Sequence, residues 1–255
     1  MDLTHQELFD FLEEKYHQYN NTAFIGLDPI SVPHQFTRKE DIEIAGFLSA
    51  TISWGNRASI VKDANRMLQQ MDCSPFLFIT NASSSEINSF KTFYHRTFNG
   101  EDGIFFIESL KNVYLHHGGL ENCFSGIEKI GMKETIAGFR QLFLETSHKK
   151  HSEKHISDPY KGSSCKKINM FLRWMVRNDD KGVDFGLWKN ISPSDLFCPL
   201  DVHSGNVARK LGMITRKQND WKAVEELTAK LRSFDPADPV KYDFALFGLG
   251  IFEKF

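Results

Sequence analysis

Apolar residues recur along most of this chain at the three- and four-residue spacings of amphipathic helices. Over residues 3–19, Leu8, Phe9, Leu12 and Tyr16 share one face, and Asn20 and Asn21 end the run. A second stripe, Ile42, Ile44, Phe47 and Leu48, starts near Lys39 and leads into a third over Ile60–Met71. Further helices are expected at Ile104–His117, stopped by His116-His117-Gly118-Gly119, and at Thr135–Leu144. Another starts at Lys166, with Ile168, Phe171, Leu172 and Met175 inward, and a short one follows Asp201 through Arg209. Asn219–Arg232 repeats the pattern with Trp221, Val224, Leu227 and Leu231. The last run, Pro239–Phe252, is too apolar to be exposed and is expected to pack centrally.

The intervening segments carry breakers. Residues 24–36, with Gly26, Pro29 and Pro33, read as an irregular crossing, and residues 72–85, with Pro75, as a loop. Residues 145–160 read as a polar, mobile connection, and 177–198 as an insert wrapping across the start of the helix from Lys166. Alternation is brief and no internal repeat is visible, so the expected fold is all-α.

At 255 residues the chain can form one large or two small packed units. A single catalytic unit is expected, with lobes at roughly 40–148 and at 1–39 plus 149–255. There is no long uninterrupted apolar run and no basic leader with an apolar core, so neither a membrane span nor export is expected, and the location is cytoplasmic. Cys73, Cys123, Cys165 and Cys198 include no C-x-x-C pair, which argues against a zinc ribbon or iron–sulfur cluster and for free thiols. No metal site is expected.

The net charge of −2 argues against a protein that coats nucleic acid. The charge is uneven, however. From Glu145 to Arg177, eight lysines and arginines face only Glu145, Glu153 and Asp158, which fits a solvated loop or a local phosphate footprint. Phe90–Phe98 is aromatic and basic, which fits either a core stripe or a nucleotide-stacking surface, with Arg96 the residue to test.

Chemistry concentrates in Tyr160–Arg209. A small-residue turn, Gly162–Ser164, opens a helix with Lys166 and Lys167 in its first turn, where the positive end of the helix dipole disfavours an ammonium. A neutral lysine is a nucleophile, and a nearby carboxylate can steer protons or steady a developing cation. Asp201, after Pro199, stands at an N-cap position. A solvated or phosphate-contacting lysine pair beside an aspartate cap fits the same spacing. Asp243, inside the last apolar run, needs a cap or a core arginine as partner.

G-S-S-C-K-K-I-N-M, from Gly162, resembles the hairpin and helix start of the helix-hairpin-helix DNA glycosylase/lyase superfamily, whose pattern is G-[VI]-G-x-K-[TV]-A-[ND]. P-L-D-V-H-S-G-N-V-A-R, from Pro199, resembles its P-V-D-x-H-x-x-R-[VI] segment. Ser164 stands where that pattern has its second glycine. The 35-residue separation is closest to the archaeal-type 8-oxoguanine glycosylase branch, and the chain is identified as a member of an uncharacterised bacterial family within the superfamily.

The resemblance implies a helix-hairpin-helix-like element and two helical lobes with a cleft. It also implies a monomer that removes an oxidised purine from damaged double-stranded DNA without metal or cofactor. Lys166 matches the Schiff-base lysine, with Lys167 as its rival, and Asp201 matches the catalytic aspartate. Asp243, with Phe247 one turn later, matches the base-contacting pair of the final helix, and Met170 matches the opposite wall. Trp54 and Asn56 match an early segment that touches the extruded base or fills its gap; they fit a hinge aromatic and a helix cap equally. Gly162, Ser163, Ser164, Arg57, Lys167 and His203 are assigned to the nucleic-acid backbone. A non-catalytic nucleic-acid-binding protein on the same scaffold, or a glycosidase acting on modified nucleosides or RNA, are the alternatives.

Overall fold

The computed structural model describes residues 3–255, and their side chains except those of Leu27, Ile127 and Glu128. In chain order the helices are α1 (His5–Tyr19), α2 (Lys39–Thr51), α3 (Arg57–Gln69), α4 (Pro75–Asn81), α5 (Ser84–Asn88), α6 (Gly100–His116) and α7 (Leu120–Cys123). They continue as α8 (Ile127–Ile130), α9 (Met132–Phe143), α10 (Lys166–Val176), α11 (Val202–Lys210), α12 (Trp221–Arg232) and α13 (Asp243–Ile251). Short 3-10 turns join them, and no β-strand occurs among the described residues beyond one His95–Phe98 bridge. The fold is all-α, and none of the described helices is long and apolar enough to cross a membrane.

Several helix starts follow from their capping residues. Thr4, Ser83 and Asn99 each accept the amide hydrogen bonds of a capping box, and Asn56 and Asp220 cap α3 and α12. The segment read as a loop at 72–85 holds α4 because Pro75 stands in its first turn, where a missing amide hydrogen costs nothing. The same residue mid-helix would have been a breaker. The crossing at 24–36 likewise resolves into 3-10 turns at Thr22–Leu27, Pro29–Ser31 and Pro33–Gln35.

The chain forms two compact units. The first takes in the chain up to Phe24, Glu128–Lys133 and Asp158–Phe255. Its core gathers Leu8 and Leu12 of α1, Val207 and Ala208 of α11, Val224, Leu227 and Leu231 of α12, and Leu246 and Leu249 of α13. Gly248 lets α1 press on α13, since a Cβ there would stand 2.0 Å from the Tyr19 ring. The insert at 177–198 lies along the later turns of α10 instead of its start. Phe185 and Trp188 donate their amides to the carbonyls of Trp174 and Met175 at 2.8 and 3.0 Å, and Trp188 meets Phe171 edge-on.

The second unit comprises Ile25–Ile127 and Glu134–Ser157. Its core is phenylalanine-rich: Phe47 of α2 meets Phe106 of α6 and Phe139 and Phe143 of α9 at centroid distances of 5.5–6.0 Å. Residues 25–39 and 149–157, expected with the termini, belong here. Ser49 of α2 donates to the carbonyl of Pro29 at 2.9 Å. Arg140 of α9 donates to the carbonyls of Glu153 and Ile156 at 3.2 and 3.0 Å, so the connection expected to be mobile is anchored.

A fully buried carboxylate completes that anchor. Asp102 accepts the Asn99 amide at 2.9 Å and lies 3.3 Å from the ring nitrogens of both His155 and His151. Burial opposes its charge, but the nearby His155 and Ser152 side chains and the Asn99 amide outweigh it and lower the carboxyl to about 2. A depressed carboxylate adds stability above its ordinary 3.8 and loses it as pH falls toward about 2. Asp102→Ala is expected to lower the unfolding free energy at neutral pH by about 3 kcal/mol, measured by urea titration. The gap to wild type should shrink as pH falls through that window; a gap independent of pH contradicts the assignment.

Candidate active site

The start of α10 is built by a tight, non-helical turn. Asp158 accepts the Tyr160 amide at 3.0 Å to cap the 3-10 turn Pro159–Lys161, and its carbonyl accepts the Ser163 amide at 3.2 Å. Gly162 follows at φ 80°, a conformation natural to glycine. Ser163 accepts the Cys165 amide at 3.1 Å, and buried Cys165 itself adopts a left-handed φ of 51° before the helix begins at Lys166. Ser164 donates its hydroxyl to the carbonyl of Leu200 at 3.0 Å. The serine that replaces the pattern's second glycine thus fastens the α10 turn to the residue just before Asp201.

Asp201 divides its carboxylate between two tasks. Oδ1 accepts the amides of His203 and Ser204 at 2.8 and 3.1 Å, capping α11, while Ser204 returns the bond by accepting the Asp201 amide at 2.9 Å. Asn219 donates to the Asp201 carbonyl at 2.8 Å. Oδ2 stays 4.0 Å from Lys166 Nζ. The Lys166 and Asp201 side chains are 25% and 30% exposed, so the pair stands at the surface of the first unit.

Lys167 differs from its neighbour. Its side chain is half-buried, and burial, reinforced by the charge of Lys166, pushes its amine down to about 7. Two amines in one helical turn leave the choice of nucleophile to chemistry.

Behind the pair lies a buried ionic network. Arg173 of α10 pairs with Asp243, the first residue of α13, and with Asp184 of the insert at 3.3 Å, and its guanidinium covers the Phe244 ring at 4.3 Å. Burial raises the Asp243 carboxyl to about 6, with the charge of Asp201 adding to the rise while Arg173 and Lys166 oppose it. Asp243 therefore feels the charges of both Lys166 and Asp201. Arg177, one turn further on, binds Asp179, Asp238 and Asp184 at 2.7, 2.8 and 3.2 Å and donates to the Tyr16 hydroxyl at 2.8 Å. Sequence reading missed Asp184, Asp238 and Asp179 as a group. Two arginines four apart in the otherwise apolar run Met170–Arg177 were the available signal, because such charges are buried only with partners.

The remaining candidates divide by unit. Met170 is buried on α10, one turn after Lys166. Phe247 is half-buried and edge-on to Phe24 at 5.5 Å, and His203 is exposed with its Cβ close to Gly250. Trp54, Asn56 and Arg57 lie in the second unit. Trp54 stacks on His155 at 5.6 Å and meets His95 edge-on at 5.1 Å, Asn56 accepts the Ser59 amide at 3.2 Å as the cap of α3, and Arg57 is the first residue of that helix. All four cysteines are free; Cys165 and Cys198 are buried, and Cys73 is exposed. Among the described residues no three His, Cys, Asp or Glu side chains are grouped to hold a metal ion.

A family model described as "Protein of unknown function (DUF2400)" matches residues 28–252. The chain belongs to this family. No curated protein and no solved structure matches it. In this DUF2400 protein the matched span contains Lys166, Lys167, Asp201 and the Arg173–Asp243 pair, and excludes α1.

The Lys167 amine carries a pH signature. Between about 7 and its ordinary 10.5 the unfolded chain holds more of this proton than the folded one, so the group makes stability rise with pH across that window. Urea titrations over this range should show the rise in wild type and a smaller one in Lys167→Met. Equal slopes contradict the assignment.

Proposed function

We propose that this DUF2400 protein is a cytoplasmic, monomeric DNA N-glycosylase with lyase activity that removes an oxidised purine, 8-oxoguanine first among them. The observation that carries the proposal is the Lys166–Asp201 pair, an amine and a carboxylate 4.0 Å apart at two adjoining helix starts, both reachable by solvent. The 158–165 turn and α10 serve as the hairpin and second helix of a helix-hairpin-helix element, and a cleft that accepts the extruded base is part of the reading.

In this reaction the Lys166 amine attacks C1′ of the deoxyribose while the bond from C1′ to the base breaks, its electron pair leaving with the base, which takes up a proton. Asp201 Oδ2 stabilises the positive charge growing on the sugar and accepts the proton that the amine sheds. Opening of the sugar ring gives a protonated imine. Loss of a C2′ proton then expels the 3′ phosphate and cuts the strand. Met170, Asp243 and Phe247 of the first unit contact the base. Gly162, Ser163, Ser164, Lys167, His203 and Arg57 contact the backbone.

The test is borohydride reduction on a duplex carrying 8-oxoguanine, followed by a panel of other damaged bases. Wild type and Lys167→Gln should form the covalent adduct, and Lys166→Gln should form none. Asp201→Asn should slow base release by about 10²-fold while leaving stability unchanged, because asparagine caps a helix as well as aspartate does. No adduct with any damaged base, or trapping by Lys166→Gln at the wild-type level, overturns the proposal. Base release from free nucleosides in place of duplex reassigns the substrate.

A further inference from the structure

The aromatic and basic segment noted at Phe90–Phe98 is only partly taken up by the core, and the Lys166–Asp201 pair makes no use of it. In the second unit its residues alternate in placement. Phe93, His95 and Phe98 are buried, whereas Tyr94, Arg96 and Thr97 are exposed, Tyr94 by 65%. A solvated loop of this kind needs no support from behind, yet this one has it. His95 and Phe98 exchange backbone hydrogen bonds at 2.7 and 2.9 Å. The buried His95 ring binds Asp63 of α3 through Nδ1 at 2.7 Å and the Trp54 carbonyl through Nε2 at 3.2 Å. The turn is therefore fixed to α3 and to the Trp54–Asn56 link.

Its outer face is cationic and aromatic. Arg66 of α3 donates to the Tyr94 carbonyl, and its guanidinium lies 5.2 Å from the centre of the Tyr94 ring. Arg96 holds a left-handed backbone, φ 55°, unusual for a residue other than glycine. Its guanidinium rests over Gly55, at φ 104°, where a Cβ would stand 2.7 Å from Arg96 Nη1. The exposed Arg96 has no carboxylate partner among the described residues. The nearby acid, Asp63, is engaged by His95 and Arg66. A strained backbone that holds an unneutralised guanidinium beside an exposed ring, on a chain of net charge −2, concentrates what single-strand recognition requires: a stacking face flanked by phosphate-binding cations.

From this geometry we infer that residues 94–96 form a nucleic-acid contact in which Tyr94 stacks on an unpaired base and Arg66 and Arg96 hold the flanking phosphates. The inference rests on the nucleic-acid half of the reading above and adds a place in the second unit where a strand is gripped.

Fluorescence anisotropy of end-labelled single-stranded DNA, single-stranded RNA and bulged duplex DNA tests it, using the full chain over a range of salt. Tyr94→Ala should weaken binding of unpaired strands about tenfold, and Tyr94→Phe should bind as wild type does. Arg96→Gln should also weaken binding and reduce the salt slope by about one. Lys222→Ala, which removes an exposed cation on α12, should change binding by less than about twofold. Stacking gives a second readout: 2-aminopurine fluorescence in the unpaired position should be quenched by wild type and Tyr94→Phe and not by Tyr94→Ala. The DNA and RNA arms decide which strand is taken.

Wild-type binding by Tyr94→Ala, or no binding of any oligonucleotide by wild type, overturns the inference. The two readings fail separately. A Tyr94→Ala protein that binds normally beside a wild type that forms the borohydride adduct sinks the contact alone, whereas a Tyr94-dependent binder that never forms an adduct sinks the catalysis alone.

Discussion

One hydroxyl holds the candidate site together. The Ser164 side chain, donating to the Leu200 carbonyl, brings the first turn of α10 and the cap of α11 side by side although 35 residues separate Lys166 from Asp201. The two helix starts differ in how their residues suit that geometry. The positive end of α11 takes Asp201 as its cap, and the amides that hold Oδ1 leave Oδ2 aimed at Lys166. The start of α10 takes two lysines, which that end of a helix disfavours. A fold selecting only for stability would put an acid or a neutral cap there, so the lysine pair is the feature of this turn that stability alone does not explain.

The rear of the site has the opposite character. Arg173 and Arg177 meet Asp179, Asp184, Asp238 and Asp243 in a buried network that joins α10, the insert and α13. With more carboxylates than guanidiniums out of water, burial pushes the Asp243, Asp184 and Asp238 carboxyls upward despite their partners. The network fixes the direction of α10 and so the position of its first turn. It also couples Asp243 electrostatically to the Lys166–Asp201 pair in front of it.

Much of this was legible in the sequence, because most of it is periodic. The stripes of α1, α2, α10 and α12 are buried as their spacing demands, and Asp201 caps α11 as its place before a helix demands. Two kinds of feature were not legible. Pro75 reads as a stop until its position in the first turn of α4 is known, and that position depends on tertiary support such as the Asp41 carboxylate that accepts the Phe76 amide at 2.8 Å. Partners distant in sequence, such as Asp102 with His155 and Ser164 with Leu200, leave no local pattern, since each is set by packing over tens of residues, whereas a core arginine was among the partners expected for Asp243 and Arg173 is that residue. Lys167 belongs with these: its place in the first turn was visible, but the burial that depresses its amine was not.

The central claim is that Lys166 and Asp201 act as one unit on one sugar. A double-mutant cycle on single-turnover base release, comparing Lys166→Gln, Asp201→Asn and the double variant, tests that claim most directly. The account predicts strong non-additivity, with the double variant no slower than Lys166→Gln alone. Losses that multiply, as for two residues working independently, would contradict it.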